Sequence, residues 1–259
     1  MRYGELKSTE IPYLTDRVVV LPLGALEQHG RHLPMLTDTM TDDEIVRRAE
    51  AELGDSALFL PTLWAGASDH HLAFPGTISF SHDTYSRMLI DLLESLIGHG
   101  FTRILLLNGH GGNRVPAHMA LYEVQMRHRD ESHLWLAMTS WFALAAQQLT
   151  EIPELEQTQV RHACEVETSM ILHLRPELVR LDLASAARVP FESAFYSPDG
   201  NMLSKVTVLR PIDHVSESGA YGRPDLATAE KGKRVFDIAV EQVVACVRDL
   251  ATWNTFEPG

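Results

Sequence analysis

An α/β fold built on a doubly wound, mostly parallel sheet is predicted by two features of the sequence. Short apolar runs rich in β-branched residues alternate with longer stretches of helical periodicity, in the order βαβαβαβ. The spacing between those runs leaves room for the crossover connections that parallel neighbours require. At 259 residues the chain can bury roughly 70–75% of the surface of its unfolded form, and one domain spanning residues 1–259 is expected.

Val18–Leu23 reads as the first buried strand, and Asp42–Leu53 carries Ile45, Val46, Ala49 and Leu53 at helical spacing. Ala57–Leu60 is a second strand. In His82–His99, Met88, Leu89, Leu92, Leu93, Leu96 and Ile97 form one apolar stripe; Ser81 or Asp83 can cap its start and Gly98 or Gly100 can end it. Ile104–Leu107 is the third strand, followed by a glycine-rich turn at Gly109–Asn113, a helix from about Val115 to Arg129, and a fourth strand at Leu134–Met138. Gln147–Gln159 is polar and interrupted by proline, and Glu167–Leu174 is a short helix stopped by Pro176. Ala184–Pro224 is so punctuated by Pro and Gly that a long excursion near the site is expected, with a short hairpin around Val206–Leu209. Ala229–Leu250 keeps an apolar face over several turns.

Charge and cysteine narrow the function. Twenty-two Lys and Arg against 35 Asp and Glu, a formal charge of −13, leave no basic footprint for nucleic acid and favour cations instead. Two cysteines, Cys164 and Cys246, are too few for a disulfide framework, and no segment reads as a secretory leader. No apolar stretch approaches the ~20 residues of a membrane span, so a cytoplasmic protein with no membrane partner is expected.

The groups able to do chemistry collect at strand ends. Glu27, His29 and Asp38 follow the first strand, where open α/β sheets keep their active sites. Glu27 and His29, two apart, point the same way in extended chain while Gln28 faces away, and Asp38 returns after a short loop. Mixed carboxylate and imidazole ligands suit Zn, Mn or Fe, and a carboxylate can bridge two ions. His110 lies in the run Asn108-Gly109-His110-Gly111-Gly112-Asn113, whose glycines admit a ligand and whose helix start offers free N–H groups. His162-Ala163-Cys164-Glu165-Val166-Glu167 adds an imidazole and two carboxylates, of which only one can join the site. These groups point to a metal-dependent hydrolase. His82, His99, His118, His128, His133, His173 and His214 read as surface or satisfied helix residues, and His32 as a residue that orders the loop or supports the ligands from behind.

Leu21–Gly30, His32-Leu33-Pro34, Thr37-Asp38-Thr39, Phe74-Pro75-Gly76-Thr77, Asn108–Asn113, Glu167-Thr168-Ser169 and Ala227–Gly232 together resemble the motifs of the creatininase (creatinine amidohydrolase) family. They occur in the family's order over nearly the whole chain. The resemblance implies a three-layer α/β/α sandwich, usually a homohexamer, with a binuclear centre of two divalent ions (Zn, Mn or Fe). It also implies hydrolysis of the C–N bond of a small cyclic amide, formamide or peptide, the bonds expected here being other than standard peptide bonds. Glu27, Asp38 and His110 match the first-metal ligands, and His29 with the shared Asp38 part of the second.

In creatininase the turn reads His-Tyr-Glu-Asn, with its Glu on the second ion; this chain has Gly111 and Gly112 in place of the Tyr and Glu. Glu167 is the expected replacement, as in the family's deformylase-like branch, and creatinine is not the expected substrate. Ser68-Asp69-His70-His71 resembles the Ser-Glu-His-His run of the family's formamide hydrolases. His70 and His71 are therefore expected to contact substrate, as are Gly111, Gly112 and Asn113 through their amide N–H groups and Trp141, which follows a strand end; His162 aligns with the family's catalytic His, expected to donate a proton to the leaving nitrogen. Glu27, Asp38 and Glu167 oppose about four positive charges from two ions, and a metal-activated hydroxide, the expected nucleophile, brings the total near neutral. The rival readings are a metal-dependent isomerase or lyase on a polyol or sugar-like substrate, a non-catalytic metal-binding assembly protein, and a Cys164–His nucleophile.

Overall fold

A computed structural model describes residues 1–157, 159–185, 191, 193–196, 206 and 208–254. Four strands, β1 (Val18–Leu23), β2 (Ala57–Phe59), β3 (Arg103–Asn108) and β4 (Trp135–Ser140), form one sheet in the order β2-β1-β3-β4. All three pairings are parallel. The helices are α1 (Thr37–Leu53), α2 (His82–Gly98), α3 (Arg114–Arg127), the short α4 (Trp141–Leu144) and α5 (Ala146–Leu149), α6 (Glu165–Leu174) and α7 (Ala229–Leu250).

Alternation along the strands builds two cores. Val18 and Val20 of β1, with Leu105 and Leu107 of β3, point to one face, where α1, α6 and α7 pack through Ile45, Met170, Val240 and Val243. Val19 and Leu21, with Ile104 and Leu106, point to the other, covered by α2 and α3 through Tyr85, Leu89, Ala117 and Ala120. The result is the expected three-layer sandwich, buried on both faces as parallel sheets require. The chain leaves β1 toward β2 on one side and reaches β3 on the other, so the strand order switches direction between β1 and β3. A crevice opens there at the carboxyl ends, and it is where Glu27, His29 and His110 emerge.

Helix α1 starts at Thr37, well before the expected start near Asp42. Asp38, reached after the loop as expected, is thus in the first turn of a helix, where a carboxylate complements the N-terminal dipole. Sequence periodicity missed this turn because its buried residues are polar: Thr37, Asp38, Thr39, Thr41 and Asp42. Helix α2 is capped by Ser81, whose Oγ accepts the Thr84 N–H at 3.3 Å. Helices α4 and α5 were not expected from the polar stretch they enter. On α7, a Cβ at Gly232 would stand 1.9 Å from Ser169 O, so glycine is what lets α7 lie against α6. The hairpin expected around Val206–Leu209 includes Thr207, which lies outside the described residues; Val206, Val208 and Leu209 are in no strand. Among the described residues no helix is long and apolar enough to cross a membrane.

Candidate metal centre

Eight of the expected residues come together at the carboxyl ends of the strands. Glu27 Oε2 lies 3.2 Å from His110 Nε2, and Glu27 Oε1 lies 3.4 Å from His162 Nδ1. Asp38 reaches His29 Nε2 through Oδ1 at 3.0 Å and His110 Nδ1 through Oδ2 at 3.2 Å. Four groups hold donor atoms within 4.8 Å of one another: Glu27–His29–Asp38, His29–His162–Glu167, Glu27–His70–His110 and Glu27–His71–His162.

The arrangement passes a direct test for cations. Both oxygens of Glu27 and Oδ2 of Asp38 are buried without a hydrogen bond, so the nearby imidazole nitrogens approach without hydrogen-bond alignment. Two atoms ligating one ion at ~2.0–2.2 Å, with tetrahedral or octahedral angles, are themselves about 2.8–3.6 Å apart. The 3.2 Å separations of His110 from Glu27 and from Asp38 fall in that range.

Charge in the cage is balanced by protons. Burial alone would push His29 down, but Asp38 and then Glu167 and Glu27 raise it to about 9. His110, against the same burial, is raised well above the imidazole range by Glu27 and Asp38. Burial opposes ionisation of Glu27, yet His110 and His71 hold its carboxyl below the usual range, and His29 and His110 do the same for Asp38. Burial, reinforced by Asp38 and Glu27, pushes Glu167 up to about 8, although His29 opposes the shift. Burial, with His29 and His71 nearby, keeps His162 neutral, well below its ordinary value. The carboxylates thus demand positive charge, which divalent cations supply more fully than imidazolium.

The walls differ in part from expectation. Gln28 does not face away: it is 4% exposed, and its Nε2 approaches His71 and His162. Extended-chain alternation failed because β1 ends at Leu23, before this segment. His71, expected to contact substrate, is buried with Nε2 3.3 Å from Glu27 Oε1, and burial lowers it to about 3. Asn113 has no free side-chain amide: Oδ1 accepts the Ala67 N–H at 2.9 Å and Nδ2 donates to Gly24 O at 3.0 Å, tying loop to loop. Trp141 is 1% exposed. It opens α4 immediately after β4, and that helix carries the ring into the core below α7 rather than to the pocket.

Two expected residues do face open space or the rim, and a third, Gly112, is closed in. Nothing lies within 4 Å of a Cβ placed on Gly111, and His70 is partly exposed, its ring stacked on His110 at 5.7 Å. At Gly112 a Cβ would meet Ala67 O at 2.1 Å and His110 Nε2 at 2.5 Å, so no side chain fits there without displacing the cage.

Of the two carboxylates near His162, Glu165 is committed elsewhere, to Lys231 Nζ at 2.6 Å and Gln157 N at 2.8 Å. Glu167 faces the site, its Oε2 held by the Ala163 N–H at 2.5 Å. Ala163 has φ +50, a left-handed conformation that a non-glycine residue adopts at some cost. His32 supports from behind, its Nε2 2.9 Å from Thr168 Oγ1. Cys164 is fully buried, burial pushes its thiol up to about 12, and Sγ accepts the Arg161 N–H, surroundings that disfavour a nucleophilic thiolate.

Asp42 escaped sequence reasoning. One helical turn after Asp38, it is buried with neither oxygen hydrogen-bonded, and Gly109 makes room for it. Burial, then Asp38 and Asp43, raises its carboxyl well above the usual range. The i, i+4 spacing from Asp38 was the available signal, legible only once the helix is known to begin at Thr37.

Scaffold and cage together define a metal-dependent hydrolase on an α/β/α sandwich. The chain belongs to the creatininase family: the creatinine amidohydrolase family profile matches residues 4–247, which makes it a hydrolase of C–N bonds. It is 31% identical to a mycofactocin precursor peptide peptidase of Mycobacterium tuberculosis, over 96% of this chain and 90% of that one. It is 26% identical to a creatinine amidohydrolase of Pseudomonas putida, over 90% of each. A solved creatinine amidohydrolase superposes with a TM-score of 0.77 at 25% identity, covering 98% of each chain. A mutant creatininase of the Zn–Zn type gives a TM-score of 0.75 at 27% identity, over 96% of this chain and 97% of that one.

Proposed function

We propose that the chain is a cytoplasmic, binuclear amidohydrolase, one catalytic unit over residues 1–259, that opens an amide, formamide or cyclic amide C–N bond in a small substrate. The observation that carries this reading is that both oxygens of Glu27 and Oδ2 of Asp38 are buried and unpartnered among imidazole nitrogens. Glu27, Asp38 and His110 would hold one ion; His29, Asp38 and Glu167 would hold the other, with Asp38 shared. Such ions lower the pKa of a coordinated water toward ~7 and polarise the scissile carbonyl.

The remaining work falls to side chains and backbone. His162, kept neutral by burial, takes a proton at Nδ1 from the attacking water and passes it to the leaving nitrogen. Glu27, 3.4 Å away, stabilises the imidazolium between those two transfers. The Gly111 and Gly112 N–H groups, at the turn into α3, are the proposed donors to the developing oxyanion. His70 at the rim and the open floor over Gly111 receive the substrate. Because Gly112 admits no side chain, the creatininase arrangement of the second ion is not proposed, and neither is creatinine as substrate.

A peptide bond is the second reading, favoured by the 31% identity to the mycobacterial peptide peptidase. A homohexamer is proposed on the family resemblance and would be measured by light scattering. The test of function is amine release from formamides, cyclic amides and short peptides, with an inosose-type sugar as the isomerase control. The protein is assayed as purified, after chelation, and after Zn or Mn is restored. Activity lost on chelation and recovered with metal supports the proposal; activity that survives chelation and falls on alkylation of Cys164 overturns it.

A further inference from the structure

Gln28 Nε2 has three polar neighbours and two hydrogens to give. It lies 2.7 Å from His71 Nδ1, 3.0 Å from His162 Nε2 and 3.1 Å from Gly219 O. The amide orientation is fixed, because Oε1 accepts the Gly30 N–H at 2.9 Å. His162 Nε2 also lies 2.7 Å from the backbone oxygen of Gln28. A carbonyl only accepts, so His162 Nε2 carries a hydrogen and cannot take one from the amide. Both amide hydrogens therefore go to Gly219 O and His71 Nδ1. With Nδ1 accepting, the hydrogen of a neutral His71 ring sits on Nε2, facing Glu27 Oε1 at 3.3 Å.

We propose that Gln28 is a positioning residue that sets the tautomers of two adjacent imidazoles: it turns His71 Nε2–H toward Glu27, and its backbone turns the His162 Nδ1 lone pair into the cage. His71 then presents a hydrogen and not a lone pair toward Glu27, and so does not ligate a cation, although it stands in a geometrically plausible group with Glu27 and His162. His162 meets the substrate as a proton acceptor, so any proton it delivers to a leaving nitrogen is first taken up at Nδ1. Gly219 is part of the device. At φ +80, it would bring a Cβ to 2.1 Å from Gln28 Oε1, so only glycine there lets the amide seat.

Imidazole 15N NMR on the full chain, zinc-loaded and again after chelation, reads this directly, with His71→Ala and His162→Ala assigning the signals. The expected result is a hydrogen on Nε2 and a pyridine-type Nδ1 for both rings in both states. Gln28→Glu, which offers His71 an acceptor instead of a donor, should move the His71 hydrogen to Nδ1. The same variant should lower kcat by ~10–100-fold with KM within about two-fold.

A hydrogen on Nδ1 of either wild-type ring, or an unchanged His71 tautomer in folded Gln28→Glu, overturns the inference. Should that variant not fold, the wild-type spectrum decides alone. The catalytic consequence rests on the binuclear reading, but the two fail separately. The stated tautomers in a chain that binds no metal would sink only that reading, and bound metal with opposite tautomers would sink only this one.

Discussion

Asp38 is the residue on which the site turns, since among the described residues it alone has carboxylate oxygens within 4 Å of both His29 and His110 nitrogens. Asp38→Asn keeps the shape but removes the charge that two cations would share. Turnover should fall by at least ~100-fold, with bound metal lost in the same preparation; unchanged rates at saturating metal would contradict a shared ligand. His162→Asn should lower turnover and leave metal content intact, measured by elemental analysis. Loss of metal would instead make His162 a ligand.

Glu27, His29 and His110 were legible in the sequence because polar ligand groups flanked by glycine directly follow buried strands. Gln28 was not, and His71 was read as a substrate contact rather than as a neighbour of Glu27. Their roles depend on who faces whom across loops distant in sequence, and no local pattern encodes that.

At the scale of elements, the sheet and its covering helices were readable because buried parallel strands and amphipathic helices leave strong periodicities, as in Val18–Leu23 and α2. The start of α1 was not, because residues that line a polar site break the apolar period where the helix becomes functional. The same logic places sensitivity at two helix features. Ser81→Ala removes the cap of α2 and should cost ~1 kcal/mol in denaturant unfolding. Gly232→Ala gains up to ~1 kcal/mol of helix propensity but forces α7 off Ser169, at ~1–3 kcal/mol for overpacking. A net fall in Tm is expected, and a rise would show that the α6–α7 contact yields freely.

For the whole molecule, the site ties stability to pH. In chelated protein, His29 has a folded pKa of about 9 against 6.5 unfolded. Its contribution is complete below pH 6.5 and is lost as pH rises through about 9. Glu167, about 8 against 4.5, has the same sign, because the native state again binds more protons than the unfolded one. Glu27 and Asp38, held low, act oppositely and lose stability only as pH falls below the carboxylate range. The Tm of chelated protein should therefore drop between pH 6.5 and 9, while zinc-loaded protein, whose ligands are already deprotonated, should change much less. Parallel Tm curves would refute the link between those protons and the metal site.

The most direct measurement is anomalous diffraction from crystals grown with excess zinc or manganese. Two peaks are predicted, both against Asp38, one completed by Glu27 and His110 and the other by His29 and Glu167. A well-ordered cage with no anomalous peak among those side chains would contradict the account.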